Sequence, residues 1–305
     1  ALVGSVADHL GSQGSLAADP GDGLLYAVNA GSNSVSVFAV DGPHLFLRQV
    51  IGSGGTFPVS VAVHGDLVYV LNALGTPDIA GFVESGGTLH RLWGSTRPLG
   101  LDVPTDTTQF TSTPGQVAFS PDGSQLLVTT KNNPAGNDVD VFAVGPDGRP
   151  SWQPVRNPEP GDVPFAIAFD AAGNVVLGEA GPSALATLRL HRDGTLTPID
   201  TVASGQPGLC WVTAAGPYFF TGNSGSNSSS GYSDAGDGQL TLLGSTPTDP
   251  GTVDGAALPG GHFLYVQTGG EGIVDEFAVG ADGSLGQVGS VTVPGAVGGE
   301  GIVAW

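Results

Sequence analysis

The segment 24–40, LLYAVNAGSNSVSVFAV, sets the pattern for the chain. An apolar run ends at Asn29, a short Gly/Ser/Asn stretch follows, and then Ser34 and Ser36 alternate with Val35 and Val37. Two-residue alternation on the far side of a polar turn predicts an antiparallel hairpin. The same pattern returns at 67–82, 126–142, 175–188, 218–232 and 263–277. A short apolar motif precedes each hairpin and predicts an inner strand: residues 14–19, 59–63, 115–120, 165–170, 209–213 and 254–258, with a seventh at 301–305. Turns such as Pro121-Asp122-Gly123 join inner strand to hairpin. Asp-Gly pairs at 147–148, 193–194 and 282–283 introduce a fourth strand. Those fourth strands share an apolar-Gly-Ser echo at 3–6, 93–96, 243–246 and 288–291.

Anchored on Leu16, Val61, Val117, Ile167, Cys210, Gly255 and Val303, the motifs recur every 43 to 56 residues. Four short strands on such a period predict an all-β fold, a β-propeller in one domain spanning residues 1–305. Seven inner motifs predict seven blades, but only six hairpins are present. The seventh blade is therefore expected to be incomplete, built from 2–6 and 301–305. A further upstream segment of about 28 residues, cleaved or lost, is expected to complete it, because an unpaired sheet edge is unfavourable. The chain begins at Ala1 in what already reads as folded sequence, so a processed form is expected. In 223–238 polar residues stand where other repeats have an apolar third strand, and that blade is expected to be the most mobile. The insertion at 97–114 is a candidate lid.

The order of inner strand, PDG-like turn, LYAVNAGSNSVSVF-like hairpin and Asp-Gly turn resembles the seven-bladed lactonase-type propellers, which include 6-phosphogluconolactonases and carboxymuconate cyclases. The resemblance covers nearly the whole chain. It implies a lactone hydrolase or lactonising isomerase, no cofactor, and a secreted, periplasmic or extracellular location.

Composition narrows the partners. With 51 glycines and 23 prolines, long helices have little room. A net charge of −20 with only 8 Lys and Arg argues against nucleic acid and against anionic lipid. No apolar run is long enough to span a membrane. The single cysteine, Cys210, excludes an intrachain disulfide and is read as a small buried hydrophobe. No EF-hand or His-x-x-x-His spacing is present, so no metal site is expected.

Candidate chemistry sits at the end of the second strands, where propeller ligands gather at the mouth of the channel. Aligned there are Asn29, Asn72, Lys131, Glu179, Asn223 and Thr268. Lys131 is the chain's only lysine. With Glu179 from the next repeat it forms either a catalytic pair, one group polarising a carbonyl and the other moving a proton, or a buried ion pair between blades. Asn29, Asn72 and Asn223 are expected around the same opening as ligand contacts. Gln116 and Asp254, each one residue before an anchor, are expected to face the channel with Ser15 and Ser60. His9, in the loop before the first inner strand, is a third catalytic candidate because imidazole titrates near neutrality. Two functions fit: lactone chemistry on a small carboxylated molecule, or a non-catalytic propeller that presents one face to a protein or glycan.

Overall fold

A computed structural model describes residues 10–103, 112–159 and 161–305. Six antiparallel sheets follow one another along the chain, each in simple up-and-down order. Sheet 1 holds β1 (Leu16–Asp19), β2 (Leu24–Asn29), β3 (Ser34–Asp41) and β4 (His44–Gly52). Sheet 2 holds β5 (Thr56–His64), β6 (Leu67–Leu74), β7 (Asp78–Ser85) and a fourth strand split into β8 (Thr88–Arg91) and β9 (Arg97–Pro98), both paired to β7. Sheet 3 holds β10 (Gln116–Phe119), β11 (Gln125–Thr129), β12 (Asp138–Ala143) and β13 (Val155–Pro158). Sheet 4 holds β14 (Pro164–Phe169), β15 (Val175–Glu179), β16 (Ala184–Leu190) and β17 (Leu196–Ala203). Sheet 5 holds β18 (Leu209–Ala215), β19 (Tyr218–Asn223), β20 (Ser228–Asp234) and β21 (Leu240–Pro247). Sheet 6 holds β22 (Thr252–Ala257), β23 (Phe263–Thr268), β24 (Ile273–Val279) and β25 (Leu285–Thr292). These are the blades of a β-propeller.

Six blades, not seven, are formed among the described residues. All six expected hairpins and the first six inner-strand motifs are in place. The seventh motif, 301–305, is not a strand. A strand exists only with a partner for its backbone groups, and here the N–H of Ile302 instead donates to the side chain of Asp254. Without that strand there is no seventh sheet among the described residues for an upstream segment to complete. Residues 3–6 lie outside the described residues.

One further expectation changes. The Trp93–Thr96 motif is not in a strand; it is the break between β8 and β9, where the Ser95 hydroxyl receives the N–H of Gly81 at 3.0 Å. The polar segment 223–238 supplies the expected third strand, β20, paired with β19 without interruption and with β21 across a bulge at Gly231–Tyr232, and buried over its first five residues. Its serines replace apolar contact with hydroxyl contacts: Ser230 meets Ser245 at 2.8 Å and receives the Asn223 amide at 2.8 Å.

The sheets belong to two compact units. One comprises residues 10–159 with Arg192–Thr195, the other 161–191 with 196–305. In the first, sheets 1 and 2 enclose Tyr26, Val37, Val70 and Phe82, and sheets 2 and 3 enclose Tyr69, Leu71, Val128 and Phe142. In the second, sheets 4 and 5 enclose Phe165, Leu185, Cys210 and Trp211, with the Phe165 and Trp211 rings edge-on at 5.0 Å. Cys210 is fully buried, as a small hydrophobe would be. Sheets 5 and 6 enclose Phe220, Val266 and Phe277.

Inner and second strands meet at two ends. Inner strands begin and second strands finish at what is here termed the upper end; the first–second and third–fourth turns lie at the lower end. At the lower end, the Tyr69 hydroxyl donates to Gly148 O at 2.7 Å, tying β6 to the third–fourth turn of sheet 3. Tyr218 repeats the contact on Ala281 O at 2.7 Å between sheets 5 and 6. Gly148 has φ +77°, and a Cβ there would lie 2.6 Å from Leu67 Cδ2, so both the turn and its seat on the neighbouring sheet require glycine.

Gly222 on β19 packs closely, and a Cβ there would lie 2.3 Å from the Val253 carbonyl oxygen on the next inner strand. Gly222→Ala is expected to destabilise the fold by about 1–3 kcal/mol, the range for overpacking. Gly286→Ala on β25 meets nothing within 4 Å and is expected to stay within about 0.5 kcal/mol of the parent. Denaturant unfolding of both variants checks this.

Candidate functional site

At the upper end of sheets 1 to 3, residues 10–15 form a strap across the inner strands. Ser12 Oγ donates to Val59 O at 2.8 Å. Val61 N donates to Gly14 O at 2.7 Å, and Gln13 N donates to Gly115 O at 3.1 Å. The Lys131 ammonium donates to Gly11 O at 2.6 Å and to Thr113 Oγ1 at 3.1 Å. Lys131 is only 1% exposed and has φ +54°, a left-handed conformation that costs a non-glycine residue on the order of 1 kcal/mol. Its neighbours impose that conformation. Thr130 Oγ1 donates to Gly136 O at 2.8 Å, and Asp138 N donates back to Thr130 Oγ1 at 2.7 Å. The Asn133 amide donates to Asp102 O at 2.9 Å and Ser112 O at 2.6 Å. Asn133 thus gathers the two described ends of the insertion read as a lid, whose residues 104–111 lie outside the described residues.

The ladder shifts Lys131 by one residue relative to the sequence alignment. Asn29 pairs with Ser34, Asn72 with Asp78, Glu179 with Ala184, Asn223 with Ser228 and Thr268 with Ile273. In sheet 3, Val128 pairs with Asp140, and two residues on Thr130 N donates to Asp138 O, so Thr130 holds the equivalent place. Lys131 lies one residue beyond it. In a pleated strand a one-residue offset turns a side chain to the other side.

The three asparagines fasten their own hairpins. Asn29 Nδ2 donates to Ser34 Oγ at 3.2 Å and Ser36 Oγ at 2.9 Å. Asn223 Nδ2 donates to Ser228 Oγ at 3.1 Å as well as to Ser230. Asn72 Nδ2 donates to Asp78 Oδ1 at 2.8 Å, and burial raises the Asp78 carboxyl above its usual range. Gln116 is buried at the start of β10, its N–H donating to Thr129 Oγ1 at 3.0 Å. Lys131, Asn72 and Gln116 belong to the first unit; Glu179, Asn223 and Asp254 belong to the second. Glu179 is buried at the end of β15. His9 lies outside the described residues.

Asp254 is 4% exposed on β22. Burial pushes its carboxyl up to about 8; the N–H groups of Gly255 and Ile302 oppose this, and Glu300 adds to it.

A second buried acid escaped the sequence reading. Asp140 is the third residue of β12, and both its oxygens lack hydrogen-bond partners. Burial pushes it up to about 7, against Arg156, whose Nε lies 3.9 Å away, and with Asp138 reinforcing it. The same slot on the third strands holds Ser36, Ala80, Ala186, Ser230 and Asp275. The alternation Asp138-Val-Asp140-Val-Phe142 was the available signal, since Asp138 and Asp140 share a face with Phe142.

These shifts fix a pH dependence. A carboxyl whose folded pKa is raised makes the native state the better proton binder between the ordinary value of 3.8 and about 8 for Asp254. Stability therefore falls as pH rises through that window, by at most about 1.4 kcal/mol per unit for one group. Asp254→Asn is expected to flatten the fall between pH 5 and 8 and to be more stable than the parent at pH 8. Urea unfolding across that range is the check, and parallel curves would be the opposite result.

Neither a protein-family model nor any curated protein matches the sequence. Solved structures do match in fold. A protein from Bacteroides uniformis assigned as a 6-phosphogluconolactonase superposes with TM-score 0.78 at 20% identity, over 91% of this chain and 84% of that one. A Bacteroides fragilis protein with the same assignment gives 0.76 at 21%, over 91% and 83%. The periplasmic gluconolactonase of Pseudomonas aeruginosa gives 0.74 at 19%, over 91% and 85%. No helix among the described residues is long and apolar enough to cross a membrane.

Proposed function

We propose that the chain is a lactonase-type enzyme that opens, or in reverse closes, a lactone of a small carboxylated molecule, with Lys131 as the group that draws on the carbonyl oxygen. One observation carries this. The buried ammonium of the only lysine, held in a strained backbone, is already aimed at a carbonyl oxygen, that of Gly11 at 2.6 Å. A substrate carbonyl taking the place of Gly11 O would receive the same bond, and the bond strengthens as negative charge develops on that oxygen. Water then adds to the carbonyl carbon, the ring C–O bond breaks, and the ring oxygen takes up a proton, giving a hydroxy acid. The proton that the attacking water gives up goes to the ring oxygen. The fold shared with proteins assigned as lactonases supports the reaction class, as does the sequence resemblance. A secreted or periplasmic setting accords with the periplasmic gluconolactonase among the fold relatives.

A panel of five- and six-membered lactones, followed by acid release, tests this. The folded parent is expected to turn over at least one. Lys131→Met is expected to lose about 10²–10³ in kcat, with its unfolding midpoint recorded alongside because Lys131 also ties the strap. Equal rates in parent and Lys131→Met would contradict the assignment. A folded parent inert on every lactone would favour the binding reading, for which β4 offers Leu45, Phe46 and Leu47, each more than half exposed.

A further inference from the structure

At the lower end of sheets 1 and 2, the opposite end from Asn29 and Asn72, three carboxylates converge. Asp22 is in the β1–β2 turn, Asp66 in the β5–β6 turn, and Glu84 is near the end of β7. One oxygen from each lies within 4.8 Å of the other two. Three oxygens so placed can share a centre about 2.8 Å or less from each, close to the 2.3–2.6 Å of calcium–oxygen bonds. Asp22 and Asp66 are exposed and Glu84 is buried. The backbone holds them there. Asp19 Oδ1 receives the N–H groups of Gly21 and Asp22, Glu84 N donates to Asp66 O at 2.7 Å, and Glu84 Oε1 receives Gly87 N at 2.6 Å.

Three like charges at this spacing repel, and among the described residues no cationic side chain ion-pairs with any of them. Arg48 is the cation that lines the adjoining cavity of about 360 Å³, with Asp22, Leu24, Glu84 and Gly87.

The second observation is Tyr26. It is fully buried and its hydroxyl has no hydrogen-bond partner. Tyr26 is the third residue of β2, as Tyr69 is of β6. Tyr69 reaches the third–fourth turn of the next sheet and bonds a carbonyl there; for Tyr26 the corresponding turn is the β7–β8 turn, just after Glu84. Burial first, and then the charges of Glu84, Asp19, Asp22 and Asp66, push its pKa up. The hydroxyl therefore lies close enough to the acidic cluster to feel its charges and lacks the partner that its counterpart has. A buried hydroxyl left in this way costs free energy that a ligand can recover.

We propose that Asp22, Asp66 and Glu84, with the Tyr26 hydroxyl beneath them, form a binding site for a divalent cation of the calcium class that clamps sheet 1 to sheet 2. Hard oxygen ligands favour calcium or magnesium over thiophilic metals, and the loose spacing favours calcium over magnesium, which demands 2.0–2.1 Å. Two of three ligands are exposed, so the affinity falls in the weak range of extracellular modules, on the order of 10⁻⁴–10⁻³ M.

Calcium titration of the full chain, after chelator treatment, reads the site by calorimetry and by thermal unfolding. One saturable site and a rise in midpoint of a few degrees at several-fold excess over Kd are expected. The double variant Asp22→Asn, Asp66→Asn, both on the surface, is expected to bind at least tenfold more weakly and to lose the thermal shift. Terbium(III), a calcium probe that tyrosine sensitises, is expected to luminesce with the parent and to dim in Tyr26→Phe. Equal calcium binding by parent and double variant would mean diffuse attraction to an acidic surface and would overturn the proposal. So would no calcium binding in the millimolar range, or a parent without calcium that Arg48→Gln strongly destabilises, which would make Arg48 the neutralising group.

Discussion

A four-stranded sheet with two apolar faces is stable only when both are covered, and most of this chain follows from that constraint. Within the first unit, sheet 2 is covered on one face by Tyr26 and Val37 of sheet 1 and on the other by Val117 and Phe142 of sheet 3. Within the second, sheet 5 is covered by Phe165 and Leu185 on one face and by Val266 and Phe277 on the other. Close coverage limits which residues fit between the sheets. Gly222 stands where any Cβ would strike the next inner strand. Several buried Ser and Asn side chains are accommodated by hydrogen bonds within their own hairpin, as Asn223 is by Ser228 and Ser230.

The same constraint explains what was legible in the sequence. Alternation and turn chemistry are local, so the six hairpins and six inner strands could be read from them. Blade number could not, because 301–305 carries an inner-strand pattern but forms no strand, and Ile302 turns its N–H to Asp254 instead. Strand β20 was legible as part of the 218–232 hairpin, but not how its polar residues could be buried. Its serines look like a loop, yet the cross-strand hydroxyl contacts to Asn223 and Ser245 satisfy them. Lys131 was read one residue off because Thr130, not Lys131, closes the ladder with Asp138, and only the left-handed turn sends the lysine into the strap.

Charge is where sequence reading reached least far. A net charge of −20 suggests solvated acids, yet Asp140, Asp254 and Asp275 are nearly inaccessible. The slot shared by Asp140 and Asp275 emerges only when the third strands are aligned by register. Asp22, Asp66 and Glu84 belong to two different turns and a strand, and no spacing motif joins them. Lys131 shows the reverse case. Its rarity drew attention to it from sequence, but its partners Gly11 and Thr113 lie far off in the chain and emerge only from the fold.

The central claim is that the Lys131 ammonium is a carbonyl-binding group whose acceptor a substrate can replace. A crystal structure of the protein with a lactam analogue of a lactone it turns over tests this most directly. The account predicts the analogue's carbonyl oxygen within hydrogen-bond distance of Lys131 Nζ and the bond to Gly11 O broken. An analogue bound elsewhere, with the Lys131–Gly11 bond intact, would contradict it.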